Sequence, residues 1–292
     1  MKAVVMHAPG GPEVLSVEQI PEPVLQTPSQ LKIRLLAAGV NPIDTKLRSR
    51  GVFLPDGLPA VLGCDGAGEV VETGAAVSRY KPGDAVWFCS GGLGGTLGSY
   101  AEFTLVGETA CRSKPASIDF ITAAAAPLVL LTAWEALFDR ARLQAGQTLL
   151  VHAGAGGVGH VAIQLAKSAG ARVLTTVSSR DKAAFVKALG ADEVILYTEQ
   201  DFVAAVNELT DGRGADVVFD TVGPAVFSQS IPATAHYGDL VTLLDPGAGV
   251  EWKEARNRNL RISFTLMLTP MLRDLPEARA HQGEILERCG QL

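Results

Sequence analysis

Three glycines, Gly154, Gly156 and Gly159, stand in the spacing G-x-G-x-x-G inside the run TLLVHAGAGGVGHVAIQLAKSAGARVLTTV. Such spacing serves a pyrophosphate: the first glycine permits a tight turn, the second lets backbone approach the ligand, and the third lets helix and strand pack closely. Gly157 and Val158 lie between them, and a helix expected from about Val158 to Ser168 offers its N–H groups and dipole to the phosphate charge. The motif alone is weak, since Gly-rich turns also arise for packing. Here the apolar strand Thr148 to His152 precedes it and the strand Arg172 to Val177 follows, so dinucleotide binding is expected.

The choice of dinucleotide depends on the end of that second strand, where an Asp or Glu would hold a ribose 2′-hydroxyl. The chain has Ser178-Ser179-Arg180-Asp181-Lys182 there. Small hydroxyls and two cations suit a 2′-phosphate and favour NADPH. Asp181 falls one step into the next helix, where an acid serves as a cap or dipole partner. Arg180 reads equally as a solvated side chain or as a phosphate contact.

These residues need elements to position them, and the chain supplies two textures. With 292 residues it is long enough for about two domains of roughly 150 residues. Residues 1–120 are short β-rich runs (KAVVMH, LSVEQI, LKIRLLAAGV, GAGEVVETG, DAVWF) broken by Gly and Pro, which predicts an irregular β domain. Residues 121–268 alternate Ala-rich helical segments with short Val/Leu/Ile strands, the pattern of a doubly wound parallel α/β sheet; a helix from Leu130 to Arg140 leads into it, and a strand from Arg261 to Leu266 completes it.

Composition limits what such a chain does. At 47% hydrophobic and 19% charged it is globular, and a formal charge of −6 supplies no general attraction to nucleic acid or anionic membrane. The most apolar stretch, Ile121 to Trp134, is about 14 residues with Pro127 inside it, short of the roughly 20 a membrane span needs. Cys64, Cys89, Cys111 and Cys289 are widely spaced, so free thiols in a reducing cytoplasm are expected.

Several motifs in order extend the reading. AAGVNPID, LPAVLGCDGAGEVVETG, YKPGDAV, GSYAEF and LTAWEALFDRARLQAGQTLLVHAGAGGVGHVAIQLAKSAGARV together resemble the quinone oxidoreductase (zeta-crystallin-like) branch of the medium-chain dehydrogenase/reductase superfamily. The resemblance spans nearly the whole chain. It implies a GroES-like β domain followed by a Rossmann domain, with nicotinamide in the cleft between them. It also implies Lys182 and Tyr197, beside Ser178, as 2′-phosphate partners, Asn41 facing nicotinamide and substrate, and Thr132 on the nicotinamide side of the cofactor.

Departures from the zinc alcohol dehydrogenases of the same superfamily narrow the chemistry. Asn41 stands where those enzymes have a cysteine, and Gly63-Cys64-Asp65 where they have Gly-His-Glu. A catalytic zinc needs three protein ligands and an open position. Cys64 without partners is a poor site and reads as a small buried cysteine, so no metal is expected. Without one, reduction relies on positioning, hydrogen bonding and a proton from solvent or a side chain, which suits quinones and α,β-unsaturated carbonyls. Asp44 either caps the short helix carrying Lys46 and Arg48 or relays a proton. Phe53 replaces a tyrosine often found near this place. His152 and His160 read as packing or loop hydrogen-bonding residues, and the Gly-rich run Ser90 to Gly95 as a substrate-cleft loop.

The expected activity is an NADPH-dependent reductase of quinones or enones. An alcohol or aldehyde dehydrogenase with an atypical zinc site is one alternative. A non-catalytic NADPH-binding protein with a structural or RNA-binding role is another. Residues 269–292 read as the start of a return segment to the first domain, cut short soon after a helix. The strand around Ser263 to Leu268 is expected to pair with its copy in a homodimer, unless Pro276 to Leu292 covers that edge.

Overall fold

Apolar residues alternate with polar ones along Gln30–Ala38, and the resulting strand buries Leu31 and Ile33 while turning Lys32 toward Glu22 and Arg34 toward Glu69. In the computed structural model, which describes residues 1–54, 56–95 and 97–292, this is the third strand of a β-rich unit. The strands are β1 (Lys2–Met6), β2 (Leu15–Gln19), β3 (Gln30–Ala38), β4 (Ala60–Val61), β5 (Asp65–Thr73), β6 (Ala85–Cys89), β7 (Phe103–Gly107) and β8 (Cys111–Ser113). They form an antiparallel sheet in the order β7-β3-β5-β6-β8 and a smaller one in the order β2-β1-β4. The larger sheet closes over Leu31, Ile33, Val70, Val86, Phe88 and Val106. One helix, α1 (Pro42–Arg50), interrupts the strands, and α2 (Phe120–Ala125) packs on β3 and β5.

Helix α3 (Pro127–Trp134) carries the chain from this unit, Met1–Leu131 with Leu268–Leu292, into the second, Thr132–Met267. The expected helix through Arg140 is shorter: after Trp134 the backbone widens into a π-type turn, Glu135–Arg140. The second unit then runs β9 (Thr148–Val151), α4 (Gly157–Ser168), β10 (Arg172–Val177), α5 (Arg180–Ala188), β11 (Glu193–Leu196), α6 (Phe202–Leu209), β12 (Ala215–Asp220), α7 (Pro224–Ala233), β13 (Thr234–Thr242), α8 (Trp252–Asn257) and β14 (Arg261–Phe264).

Its strands are all parallel, in the order β11-β10-β9-β12-β13-β14, which is the Rossmann arrangement with the glycine loop after its first strand. Leu150, Leu174, Val218 and Leu240 make one row across four strands, buried against Phe202 and Val206 of α6 and Phe227 and Ile231 of α7. Parallel strands covered on both faces read as continuous apolar runs, and TLLV and ADVVFD do.

The last strand ends earlier than the expected Ser263 to Leu268. Its ladder with β13 stops at Phe264, followed by one bond from Thr265 N to Thr242 O, because the chain then turns into α9 (Thr269–Leu272), with Pro270 at its start. Helix α10 (Pro276–Cys289) packs on β8 and the turn Glu108–Ala110, burying Ile285 and Leu286. Glu287 of that helix pairs with Arg79 and Arg112, at 3.2 Å each.

Candidate active site

The turn from β9 into α4 is built by close packing. A Cβ on Gly154 would lie 2.0 Å from the Thr175 hydroxyl, and one on Gly159 would lie 2.3 Å from the Ala153 carbonyl oxygen. Both positions therefore hold the loop against β10 and α4 against the loop. Gly156 differs: its Cβ would meet only the Ala153 carbonyl, at 3.1 Å, so this residue, the N-cap of α4, leaves room on the side a phosphate would occupy. Ala153 adopts a left-handed φ of 51°, and its N–H donates to Thr176 Oγ1 at 3.1 Å.

That hydroxyl is held in turn by His152. The imidazole is fully buried, bonded to Thr176 Oγ1 through Nδ1 at 3.2 Å and to Ser230 Oγ through Nε2 at 3.0 Å, with its ring edge-on to Phe202. Burial pushes its pKa down to about 3, so the ring is neutral. His152 acts as a strut under the loop. Its partners lie 24 and 78 residues along the chain, and no sequence spacing signals them. His160 Nδ1 bonds to the Gly156 carbonyl, one turn away in α4.

At the carboxyl end of β10 the sheet brings the other expected cofactor residues together. Val177 is paired with Leu196, so Ser178 and Tyr197 follow side by side, and Thr198 Oγ1 donates to the Ser178 carbonyl at 3.3 Å. Ser179 caps α5 by accepting from the Lys182 N–H, and the Lys182 ammonium donates to Ser178 Oγ at 3.0 Å. Asp181 sits in the first turn of α5, and Arg180 lies 3.5 Å from Glu199 on the surface. Thr132 is buried in α3.

In the β-rich unit Asn41 begins α1, with Pro42 behind it. Its N–H donates to Asp44 Oδ2 at 2.8 Å, the reciprocal bond of a capping box, and Tyr100 OH donates to the same oxygen at 2.8 Å. Its side-chain Nδ2 donates to Asp65 Oδ2 at 2.9 Å. Asp65, the first residue of β5, also accepts from Leu128 N at 3.1 Å and from the Cys89 thiol. Burial raises the pKa of both carboxyl groups. Asp65 is pushed up to about 7 against its hydrogen bonds from Asn41, Cys89 and Leu128, and Asp44 rises against those from Asn41, Tyr100 and Gly63. Phe53 is outside this hydrogen-bonded group: it sits half-exposed on the loop after α1, its N–H on the Leu93 carbonyl. Sequence reasoning did not single out Asp65 or Tyr100 as members of the group, although both lie within the quoted motifs.

Comparison with known proteins places this architecture. The alcohol dehydrogenase GroES-like domain matches residues 27–116, and the zinc-binding dehydrogenase domain matches residues 157–269. A quinone oxidoreductase of Pseudomonas aeruginosa is 40% identical over 241 residues, covering 82% of this chain and 72% of the relative. The chain belongs to the quinone oxidoreductase family. A solved alcohol dehydrogenase superfamily protein from Novosphingobium aromaticivorans superposes with a TM-score of 0.92 at 37% identity, covering 100% of this chain and 86% of that one. The Escherichia coli quinone oxidoreductase, solved as a complex with NADPH, gives 0.86 at 30% identity, covering 100% and 87%.

Zinc does not fit this member of the quinone oxidoreductase family, despite the name of the matching domain. Among the described residues no group of three or more His, Cys, Asp or Glu side chains could hold a metal ion. Of the two places where the zinc enzymes have ligands, Asn41 gives its amide to Asp65 and Cys64 is a free, buried thiol. Cys64 is fully buried, burial raises its pKa far above its usual value, and one soft ligand without partners makes no zinc site.

Proposed function

We infer that this chain is an NADPH-dependent reductase that transfers hydride to a quinone or an α,β-unsaturated carbonyl without a metal. One observation carries the reading: a chain that keeps the glycine loop of a dinucleotide enzyme has a neutral amide, Asn41, bonded to a buried carboxyl group, and a buried thiol, Cys64, at two places where its zinc-dependent relatives hold metal. The bound nicotinamide supplies the hydride.

The protein's own residues do the rest. The amino end of α4 takes the pyrophosphate on the N–H groups of Gly157, Val158 and Gly159, with Gly156 leaving room beside them. Ser178, Lys182 and Tyr197 receive the 2′-phosphate. Thr132 and Asn41 orient the nicotinamide, and Asn41, Asp44 and Phe53 shape the acceptor's pocket. Tyr100 and Asp44 fix the start of α1, and the Tyr100–Asp44 bond is a route by which a proton could reach that pocket. Acceptors whose developing oxyanion is delocalised need no Lewis acid. Simple ketones need a Lewis acid or a strong proton donor at the carbonyl oxygen, which is why activated acceptors fit.

The test is a panel of benzoquinones, enones and simple alcohols, run with NADPH and NADH and followed by nicotinamide absorbance. NADPH consumption with quinones or enones is expected. Oxidation of alcohols that depends on added zinc overturns the reading.

The assembly is read as a homodimer. β14 is an edge of its sheet, and Phe264 and Leu266 beside it are 54% and 55% exposed. An apolar edge of this kind pairs readily with its own copy across a two-fold axis. Phe264→Lys should yield monomers by light scattering, and a monomer at micromolar concentration in the unmodified protein rejects the dimer. The buried free thiols of Cys64, Cys89 and Cys111 suit a reducing compartment such as the cytoplasm. Among the described residues no helix is long and apolar enough to cross a membrane.

A further inference from the structure

Asn41 is held from two sides. Its backbone N–H is on Asp44 and its carboxamide Nδ2 is on Asp65, and both carboxyl groups are buried. The two contacts differ in kind. The Asp44 bond fixes where the helix starts, a capping role any box residue fills. The Asp65 bond fixes the flip of a side chain whose two ends are chemically opposite, one a carbonyl and the other an amine.

We propose that Asp65 is a positioning residue for hydride transfer: as a carboxylate it permits only the Asn41 flip that points Nδ2 at β5, and so sets which polar atoms of Asn41 an acceptor meets. The proposal rests on the reading of Asn41 as part of the acceptor pocket.

Three features of the geometry support it. Asp65 is fully buried, and among the described residues its side chain accepts from donors on each side: Asn41 Nδ2, Leu128 N and the Cys89 thiol. A carboxylate surrounded by donors imposes one orientation on a neighbouring amide, because the opposite flip would set oxygen against oxygen. The second is rigidity on either side. Gly39, two residues before Asn41, has no room for a side chain, since a Cβ would lie 2.4 Å from the Ala124 carbonyl oxygen, and its N–H is on the Asp65 carbonyl at 3.1 Å. The segment holding Asn41 is therefore pinned to the strand holding Asp65, and the flip that gives Nδ2 to Asp65 turns the amide oxygen toward the Asp44 N–H of the capping box. The third is charge. The titratable groups facing Asp65 are all acids: Asp44 from α1, Cys64 beside it, Cys89 from β6 and Tyr100. Burial, with the Asp44 charge beside it, brings its pKa to about 7 against the hydrogen bonds from Asn41, Cys89 and Leu128. The lock is thus complete above neutrality. It loosens as pH falls through that value, because a protonated carboxyl tolerates either end of the amide.

The experiment reads the amide directly. The Asn41 side-chain ¹H–¹⁵N pair, assigned by its loss in Asn41→Asp, is followed by NMR from pH 5 to 9 in the full chain and in Asp65→Asn. The expected result is a titration with a midpoint near 7 in the unmodified protein and a flat profile in Asp65→Asn. An Asn41 pair that does not move with pH, or that titrates identically in Asp65→Asn, overturns the proposal. Asp65→Glu keeps the charge and, should Asp65→Asn fail to fold, must shift the midpoint; an unchanged midpoint overturns the proposal too.

Turnover separates positioning from folding. Asp65→Asn should lose at least tenfold in kcat with the acceptor while NADPH affinity stays within twofold, and Asp65→Glu should recover part of the loss. Equal losses in kcat and NADPH affinity would mean that Asp65 only ties α3 to β5 through Leu128. A chain that reduces no quinone or enone refutes the functional reading, and the NMR titration still decides whether Asp65 orients Asn41.

Discussion

Replacing Lys182 by Ala tests the cofactor assignment where it is most local. The Lys182 ammonium donates to Ser178 Oγ at 3.0 Å, next to Tyr197, on the surface end of the sheet. A hydrogen bond to a charged group contributes about 1.5–3 kcal/mol. The site is exposed, so the lower end applies, and about 1.4 kcal/mol is a factor of ten in Kd. NADPH should therefore bind about tenfold more weakly to Lys182→Ala, whereas NADH, which lacks the 2′-phosphate, should bind as before. Because the Debye length is about 10 Å at 0.1 M salt, raising the ionic strength should also narrow the NADPH preference of the unmodified protein more than that of the variant. Titration of cofactor fluorescence measures the four constants, two cofactors on two proteins, at each of two salt concentrations. The Tm should be nearly unchanged, since a surface substitution away from special features costs within about 0.5 kcal/mol. Equal affinity for NADPH and NADH in the unmodified protein, or equal weakening of both in the variant, refutes the assignment.

The two glycines of the loop should separate binding from folding: Gly156→Ala loses NADPH affinity at least tenfold with little change in Tm, because its Cβ enters the open side, whereas Gly159→Ala, 2.3 Å from a backbone carbonyl, costs about 1–3 kcal/mol of stability. Calorimetry with and without cofactor distinguishes them, and a Gly156→Ala protein that binds normally removes the pyrophosphate from that place. His152 makes stability depend on pH. Its folded pKa of about 3 lies below the unfolded value of about 6.5, so the unfolded chain binds the extra proton between them, and stability present above pH 6.5 is lost on acidification at up to about 1.4 kcal/mol per pH unit. Urea unfolding between pH 7 and 5 should show a shallower loss in His152→Asn. Asp65, raised to about 7, contributes the opposite slope in both proteins and cancels in the comparison, so equal slopes would refute the neutral strut. Chelators should leave quinone reduction intact. Activity lost on chelation and restored by zinc would revive the zinc alternative.

Much of this was legible along the chain because the signals are local. The glycine spacing between two apolar strands announces a dinucleotide turn, since turn geometry, helix start and strand packing are decided within about 30 residues. Ser178 stands just before the N-cap Ser179 and Lys182 lies in the first turn of α5, so their contact is local to one helix start. Asn41 and Asp44 show the spacing of a capping box. Periodicity was less sure where the helix loses its regular turn: the run through Arg140 looks helical throughout, yet the backbone widens after Trp134. The last strand is shorter than its apolar run for the same reason, since apolar residues continue past Phe264 after the ladder has ended. Tertiary structure alone decided the partners. Asp65 is 24 residues from Asn41 and 63 from Leu128, Tyr100 is 56 from Asp44, and Ser230 is 78 from His152. A hydrogen bond requires two atoms to meet in space, and sequence patterns carry only the separations that one helix, turn or strand imposes. Burial, which gives the Asp65 carboxyl its raised pKa and the His152 ring its neutrality, exists only once distant segments have closed over them.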